Sequence, residues 1–317
     1  MVAPTTDFLT CFAPPFKRTG AFLLDKKLHN SFDYPGKMGY DKIEMICEPG
    51  GNAMELICPI CQLPLAQEGR SLRCGRNHSF DVARQGYVNL LPVQQKRSLH
   101  PGDTREQVLS RRAFLESGAY VPIVEALKRA AEGHAGPILD VGCGEGYYAV
   151  RVADHLNAQL TGLDISKEAV RCAAAQYKGR RWLCGTAAHL PIADESVGVL
   201  MSMFALTMPQ EFRRVLKTDG IFIQVLAAQD HLMGLKSIIY PEILLKEKDS
   251  VPALEGFELL SSTPVRFEFT AEGEQIGNLL SMTPHFWRIS AEGAKRLKHT
   301  EILTDTASCV VNVYRPA

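Results

Sequence analysis

The region after Gly136 alternates short apolar runs with longer segments in which apolar residues recur at helical spacing. Short apolar runs rich in β-branched residues predict buried strands, and the segments between them predict amphipathic helices. Strands that alternate with helices are typical of an α/β protein with a doubly wound parallel sheet. The predicted strands cover residues 138–141, 159–164, 182–184, 197–201 and 221–226.

The C-terminal third of the chain has a different pattern. Three further strands are predicted at 257–260, 265–269 and 308–314, and they flank an insertion that contains Met282-Thr283-Pro284 and Trp287. Strands without an intervening βαβ pattern fit an antiparallel edge added to a parallel sheet.

The pattern before Gly136 divides the chain into further segments. Residues 1–53 show no sustained period, which predicts loop or disorder, or an extraneous extension, since Met54 directly precedes the first motif. Residues 54–93 are predicted as a small turn-rich module, 94–135 as a polar linker with leading helices, and 136–317 as the α/β domain. Asp103 and Glu106 resemble a capping box that would begin the first of these helices.

Composition adds little until its distribution is considered. The chain has 317 residues, is 46% hydrophobic and carries 35 basic and 35 acidic residues, so its net charge indicates no partner. Basic residues exceed acidic ones between 55 and 115, nine against five, which suits a small module that guides a polyanion. No apolar run approaches the roughly 20 residues that span a bilayer, and no signal-peptide pattern is present, so we expect a cytoplasmic protein with no membrane partner.

Four of the potential metal ligands lie close together in the predicted module. Cys58 and Cys61 form a CxxC pair, and Cys74 and His78 follow it within twenty-one residues. Three thiolates and one imidazole can close a tetrahedron around Zn²⁺ with no open position, which is typical of a structural site. Chance cysteines in a small core are the alternative, and the ribbon-like spacing argues against it.

A glycine-rich loop follows the first predicted strand of the α/β domain. Asp140 is followed by Gly142, Gly144 and Gly146, and Asp164 ends the next predicted strand. A carboxylate before the glycines would repel a pyrophosphate and attract the ammonium of a methionine moiety, whereas a dinucleotide loop places pyrophosphate at a helix N-terminus. The loop therefore predicts S-adenosylmethionine rather than a nicotinamide or flavin, with Asp164 accepting hydrogen bonds from the ribose hydroxyls.

These motifs together resemble a known family. From Met54 to its end, about five sixths of its length, the chain resembles the bacterial 23S rRNA guanine-N1-methyltransferases that modify hairpin 35. The resemblance is carried by the cysteine spacing, Phe80-Asp81, residues 86–92, Arg111 to Leu115, the glycine loop 142–148 and Met282-Thr283-Pro284.

The resemblance implies a Rossmann-like, seven-stranded class I methyltransferase domain joined to an N-terminal zinc module that recognises a hairpin loop of 23S rRNA. It implies S-adenosylmethionine and one structural Zn²⁺, and family members are often dimeric. It also implies that Tyr120, Gly144, Glu145 and His231 contact the cofactor. From the residues alone, an aromatic at Tyr120 is more typical of the core, and a lone histidine such as His231 is more typical of the surface or of a hydrogen-bonded core position.

The sequence does not identify the residues that hold the guanine base and accept its proton. Other base methyltransferases often carry an Asn or Asp with prolines and an aromatic after the fourth strand, and residues 201–207 lack that pattern. Tyr87 is a candidate either for stacking on a base or for packing inside the zinc module. Candidates for phosphate contacts are Arg70, Arg73, Arg76, Arg84, Lys96, Arg97, Arg111 and Arg112.

Two other functions are compatible with parts of the pattern. A methyltransferase of a small molecule, such as a quinone precursor, would share the cofactor loop but would not need the cysteine cluster. A non-catalytic RNA-binding or assembly protein could have lost the loop chemistry, yet Asp140, the three glycines and Asp164 are all present.

Overall fold

The computed structural model describes residues 54–95, 98, 101–243 and 247–317. The predicted N-terminal extension, residues 1–53, lies outside the described residues, as do the phosphate candidates Lys96 and Arg97. The predicted module at 54–93 is described throughout.

The N-terminal module is a small antiparallel sheet. Strands β1 (Leu65–Glu68), β2 (Ser71–Cys74) and β3 (Ser79–Asp81) pair in that order. A tight turn at Gly69, with φ of 60°, joins β1 to β2. The strands are three or four residues long and mostly half-buried or exposed, so this sheet by itself encloses very little apolar surface.

Two helices lead into the larger domain, α1 (Arg105–Glu116) and α2 (Val121–Ala131). A capping box begins α1, but at Thr104 and Gln107, each side chain bonding the backbone N–H of the other. The box predicted at Asp103 and Glu106 is therefore wrong by one residue. The reason is that the Asp103 carboxylate forms an ion pair with Arg111 at 2.5 Å, which leaves the Thr104 hydroxyl to cap the helix.

The larger domain continues the alternation of strands and helices. Its strands are β4 (Tyr87–Asn89), β5 (Ile138–Val141), β6 (Leu160–Asp164), β7 (Arg181–Cys184), β8 (Val197–Met203), β9 (Leu216–Ala227), β10 (Phe257–Glu272) and β11 (Ile302–Pro316). Its further helices are α3 (Tyr147–Leu156), α4 (Lys167–Gln176), α5 (Pro209–Val215), α6 (Met233–Ile239), α7 (Glu274–Ser281) and α8 (Ala291–Lys298), with 3-10 turns at Val93–Gln95 and Pro284–Trp287.

These strands form one sheet in the order β10-β11-β9-β8-β5-β6-β7-β4. Pairing is parallel from β9 to β4 and antiparallel on both sides of β11. The predicted Rossmann-like α/β fold is confirmed, and an eighth strand extends the seven expected. That strand, β4, belongs to the segment predicted as the zinc module, and it pairs with β7 through Tyr87 and Trp182.

The antiparallel edge consists of two long strands joined by a helical insertion. The strands predicted at 257–260 and 265–269 are parts of the single strand β10, which pairs with β11 along its length and has one irregularity between Leu259 and Ser261. The predicted break does not appear, because pairing with β11 holds the polar residues between the two runs in extended backbone.

Apolar residues pack on both faces of the sheet, because successive side chains of a strand point to opposite sides. One layer combines Ile138 and Ile223 with residues of α2, α3, α4, α6 and α7. The other combines Leu139 and Phe222 with α5 and with apolar residues of the N-terminal module, among them Leu56, Leu72 and Val82. The small sheet is thus packed against one face of the large one.

Within the described part of the chain, no helix combines the length and the apolar character required to cross a membrane.

Candidate active site and zinc ribbon

The predicted metal ligands lie on two turns, and each turn contains a residue with positive φ. In the first turn the N–H of Gln62 donates to the carbonyl of Cys58 at 2.8 Å, and in the second the N–H of Asn77 donates to the carbonyl of Cys74 at 2.9 Å. Gln62 and Asn77 both have positive φ, 61° and 63°. The two turns bring together the ligand atoms of Cys58, Cys61, Cys74 and His78.

The distances between these atoms fit a tetrahedral zinc site. The Nδ1 atom of His78 lies 3.4 Å from Sγ of Cys58 and of Cys74, the Sγ atoms of Cys61 and Cys74 are 3.6 Å apart, and all four atoms lie within 4.8 Å of one another. Zinc–ligand bonds in a tetrahedron place ligand atoms about 3.5–3.8 Å apart. The described cluster can therefore close around one Zn²⁺ with four protein ligands.

The Cys74 thiol is prepared for metal binding. Although its partial burial raises the pKa, hydrogen bonds from the backbone N–H groups of Arg76 and His78 and the neighbouring thiols lower the pKa to about 6. The thiolate is the form of cysteine that binds metal.

A cavity of about 790 Å³ opens at the carboxyl ends of β5, β6, β8 and β9. This edge of a doubly wound sheet is where ligands bind. Six of the eight predicted cofactor-binding residues line the cavity: Tyr120, Gly142, Gly144, Glu145, Asp164 and His231. Asp140, fully buried in β5, and Gly146, which begins α3, do not line it. At Gly146 an ideal Cβ would lie 2.5 Å from the Trp182 ring, so this glycine permits close packing.

Asp164 at the end of β6 fixes the glycine loop. One carboxylate oxygen accepts the N–H of Gly144 at 2.9 Å, and the other accepts the N–H of Ser166 at 2.8 Å. A carboxylate has about four acceptor positions, so Asp164 can still accept hydrogen bonds from ligand hydroxyls.

Three acidic side chains gather at the loop. Burial, together with the carboxyls of Asp164 and Glu145, raises the pKa of Asp140 well above its ordinary value. Burial also raises the pKa of Glu145 to about 7, although Arg111 opposes that shift. Neither oxygen of Asp140 nor Oε2 of Glu145 has a hydrogen-bond partner among the described residues. A buried acidic group without a partner at the cavity wall, as Glu145 is, fits a ligand with positive charge and hydrogen-bond donors, such as S-adenosylmethionine, and opposes a pyrophosphate.

Arg111 does not belong to an outer phosphate-binding surface. It lines the cavity, pairs with Asp103, and its Nη1 atom lies 3.6 Å from the position of an ideal Cβ at Gly144. The phosphate role considered for Arg111 is therefore corrected: it is part of the cavity wall. Among the other described candidates, Arg112 is half-buried, whereas those of the zinc module are exposed: Arg70, Arg73, Arg76 and Arg84.

Tyr120 combines a core ring with a polar group at the cavity. Its buried ring makes edge-on contacts with Phe114, Phe267 and Phe269 at centroid distances of 5.2, 6.0 and 5.8 Å. Its hydroxyl has no hydrogen-bond partner within the described structure, and burial raises its pKa well above the ordinary value. The side chain can therefore support the core and offer a neutral hydroxyl to a ligand.

His231 is a neutral hydrogen-bond donor to the cavity. Its Nδ1 atom accepts the N–H of Ser308 at 3.1 Å, and burial, with Lys236 and Lys248, lowers its pKa to about 4. Because Nδ1 is an acceptor in the neutral ring, Nε2 carries the proton. The ring stacks on Phe204 at 5.9 Å and 29°.

The sequence pattern did not identify two groups of the outer cavity. Phe204 follows β8 with a φ of 52°, and no Asn-Pro or Asp-Pro pair marks its position. His285 follows the Met-Thr-Pro motif, and its Nδ1 lies 2.9 Å from the hydroxyl of Tyr240. Tyr87, considered for base stacking, is buried in the core of the large sheet. That alternative is therefore wrong, because β4 places the ring inside the protein.

Comparisons with known proteins find matches for both the zinc module and the α/β domain. Residues 56–99 match the family described as the N-terminal region of RlmA, and 139–224 match the methyltransferase domain family. The "Putative 23S rRNA (guanine-N(1)-)-methyltransferase" of Micromonospora griseorubida is 34% identical over 292 residues, covering 82% of this chain and 97% of that protein. The 23S rRNA (guanine(748)-N(1))-methyltransferase of Streptomyces fradiae is 33% identical, covering 82% and 96%.

A relative of another class matches less of the chain. The demethylmenaquinone methyltransferase of Chlorobaculum parvum is 32% identical over 133 residues, covering 38% of this chain and 55% of that protein.

The sheet, the acid-lined cavity and the cysteine–histidine cluster define the class: an S-adenosylmethionine-dependent methyltransferase with a zinc ribbon. Within that class, the chain belongs to the family of 23S rRNA (guanine-N1)-methyltransferases.

Proposed function

We propose that this protein transfers a methyl group to N1 of a guanine in hairpin 35 of 23S rRNA. The observation that carries the proposal is that the acid-lined cavity and the zinc ribbon belong to one compact unit, in which the ribbon packs against the same sheet. A small-molecule methyltransferase, such as one acting on a quinone precursor, needs only the cavity.

Cys58, Cys61, Cys74 and His78 hold the structural zinc in this proposal, and residues 54–93 read the RNA. The exposed arginines of the ribbon contact phosphates, because guanidinium groups pair well with phosphate oxygens and position a nucleic acid without reading its sequence. A homodimer stays a prediction from the family resemblance, and a cytoplasmic location stays a prediction from the sequence.

The glycine loop and its acidic neighbours hold the cofactor, which supplies an activated methyl group when bound. Gly142 and Gly144 let the backbone approach it, and Asp164 accepts hydrogen bonds from its ribose. Glu145 lines the cavity, and since burial raises its pKa to about 7, the positive charge of a bound cofactor would favour its ionised form, whereas Asp140 lies outside the cavity lining. The hydroxyl of Tyr120 and the Nε2–H of His231 each provide one hydrogen-bond donor for the cofactor.

Methyl transfer to guanine also requires removal of the N1 proton. N1 must lie about 3–3.5 Å from the methyl carbon, and as the new N–C bond forms, the S–C bond breaks and the proton leaves to a base. His231 cannot accept it while Nδ1 is bonded to Ser308. His285 is the other neutral imidazole among the described lining residues, its pKa being lowered to about 4 by burial, Lys236 and Arg288. When Nδ1–H donates to the Tyr240 oxygen, Nε2 of His285 has a free lone pair that can receive the proton and pass it on to solvent, because a ring with a pKa of about 4 does not keep it.

The test uses the purified chain, S-adenosylmethionine and unmodified 23S rRNA. Nuclease digestion and mass spectrometry should detect one N1-methylguanosine, mapped to hairpin 35. A product at another nucleotide would support the methylation reaction and contradict its assignment to hairpin 35. If the RNA stays unmodified while a demethylmenaquinone supplied in a parallel reaction is methylated, the small-molecule alternative is correct.

A further inference from the structure

The segment directly after β8 lies against the glycine loop. An ideal Cβ at Gly142 would be 2.7 Å from Cβ of Ala205, so the two chain segments are in contact at this point. A reacting base must approach to within about 3–3.5 Å of the methyl carbon held at that loop. The residues beside Ala205 are therefore close to where a substrate must sit.

This segment is fixed at both ends. The N–H of Phe204 donates to the carbonyl of Val225 at 2.9 Å, and the side chain of Gln224 donates to the hydroxyl of Thr207 at 2.8 Å. Phe204 is held at a φ of 52°, a conformation that is unfavourable for an aromatic residue and persists only where the surroundings enforce it. Such strain is common at functional sites.

The Phe204 side chain faces both the cavity and solvent. It lines the cavity and is 41% exposed, whereas one side of its ring stacks on the ring of His231. Flanking Leu206 also lines the cavity and is 80% exposed. An aromatic ring supported on one side and open on the other, at the mouth of a cofactor cavity, is a surface on which a nucleobase can stack.

We propose that the target guanine stacks on the ring of Phe204. The hydrogen bonds that fix the segment from Phe204 to Thr207 hold this ring in place. The proposal rests on the proposed function and names the residue that holds the base. His231 packs against the other face of the Phe204 ring.

The experiment measures binding of two RNA hairpins in the presence of S-adenosylhomocysteine. One carries the target guanine, and the other is abasic at that position. The native protein should prefer the guanine hairpin by about 10-fold to 100-fold, the range that base–aromatic stacking supplies. Phe204→Leu should abolish most of this preference, and Phe204→Tyr should retain it.

Phe286→Leu is the matched control, because Phe286 is similarly exposed, at 37%, and does not line the cavity. It should keep the preference. The midpoint of thermal unfolding reports whether each variant is folded, and Phe204→Gly, which suits positive φ, replaces the leucine variant if that one fails.

The outcomes separate the two proposals. If the native protein shows no preference for guanine, the proposed function fails. If the native protein prefers guanine and Phe204→Leu retains that preference, or loses affinity equally for both hairpins, the function stands and the platform is wrong.

Discussion

The zinc ribbon and the methyltransferase sheet achieve their folds by different means. The ribbon strands are short and mostly half-buried or exposed, and its interior is a cluster of four polar ligands. Strands β5, β7 and β8 are buried at every position. A sheet of the second kind is stabilised by its apolar contacts, whereas a sheet of the first kind needs its metal. Loss of zinc should therefore unfold the ribbon, whereas loss of S-adenosylmethionine should leave the methyltransferase sheet folded with an empty cavity.

The largest expected effect comes from removing zinc ligands. Cys58→Ser combined with Cys61→Ser should reduce zinc from about one per chain to near zero, because structural zinc contributes on the order of 10 kcal/mol to such modules. RNA affinity and hydrogen-exchange protection of residues 65–81 should be lost, while cofactor affinity persists.

Cys172→Ser is the control for that pair, since Cys172 lies on α4 outside the cluster. It should retain zinc and RNA affinity. Cofactor affinity that falls together with zinc content would contradict the separation of the two regions, and RNA affinity that survives zinc loss would make the ribbon a structural appendage.

The next effect tests the cavity. Gly144 and Gly133 both have positive φ, 56° and 81°, but only Gly144 lines the cavity. Replacing either by Val introduces backbone strain of about 1–2 kcal/mol. Gly144→Val should also lower affinity for S-adenosylmethionine by more than roughly 100-fold, about 2.7 kcal/mol, measured by calorimetry. Gly133→Val should bind the cofactor normally, and both variants should keep their zinc.

Unchanged cofactor affinity in Gly144→Val would overturn the assignment of the loop. An equal loss in Gly133→Val would assign the effect to general destabilisation of the sheet.

The smallest effect concerns the energetic cost of the buried acid. Burial raises the pKa of Glu145 from its ordinary value near 4.5 to about 7. The folded protein therefore retains a proton that the unfolded chain releases, and stability falls as pH rises between these two values. Glu145→Gln does not titrate, so its free energy of unfolding relative to the native protein should increase by about 2–3 kcal/mol between pH 5 and pH 8. Parallel urea denaturation curves at several pH values measure this difference.

A constant difference across that range would show that Arg111 keeps Glu145 ionised at every pH. The negative charge of Glu145 would then be compensated by Arg111 inside the protein, as the thiolate charges of the ribbon are compensated by the metal.

Local patterns in the sequence predicted the zinc ligands, the glycine loop and most strands, because spacing and alternation act over a few residues. Features that depend on distant partners were missed. Tyr87 is buried because β4 pairs with β7, which lies far along the chain. Thr104 caps α1 because Asp103 is engaged by Arg111. The turn at Phe204 depends on Val225 and Gln224 of the neighbouring strand, and no local signal announces it.

The position of β4 also has a consequence for the order in which the chain folds during synthesis. Tyr87 at the end of the ribbon pairs with Trp182, roughly 95 residues later. At about 5–20 residues per second, the ribosome needs roughly 5–20 s to make that partner. The ribbon can therefore fold around its metal first, so that β4 is already formed when β7 is made and can pair with it at the edge of the sheet.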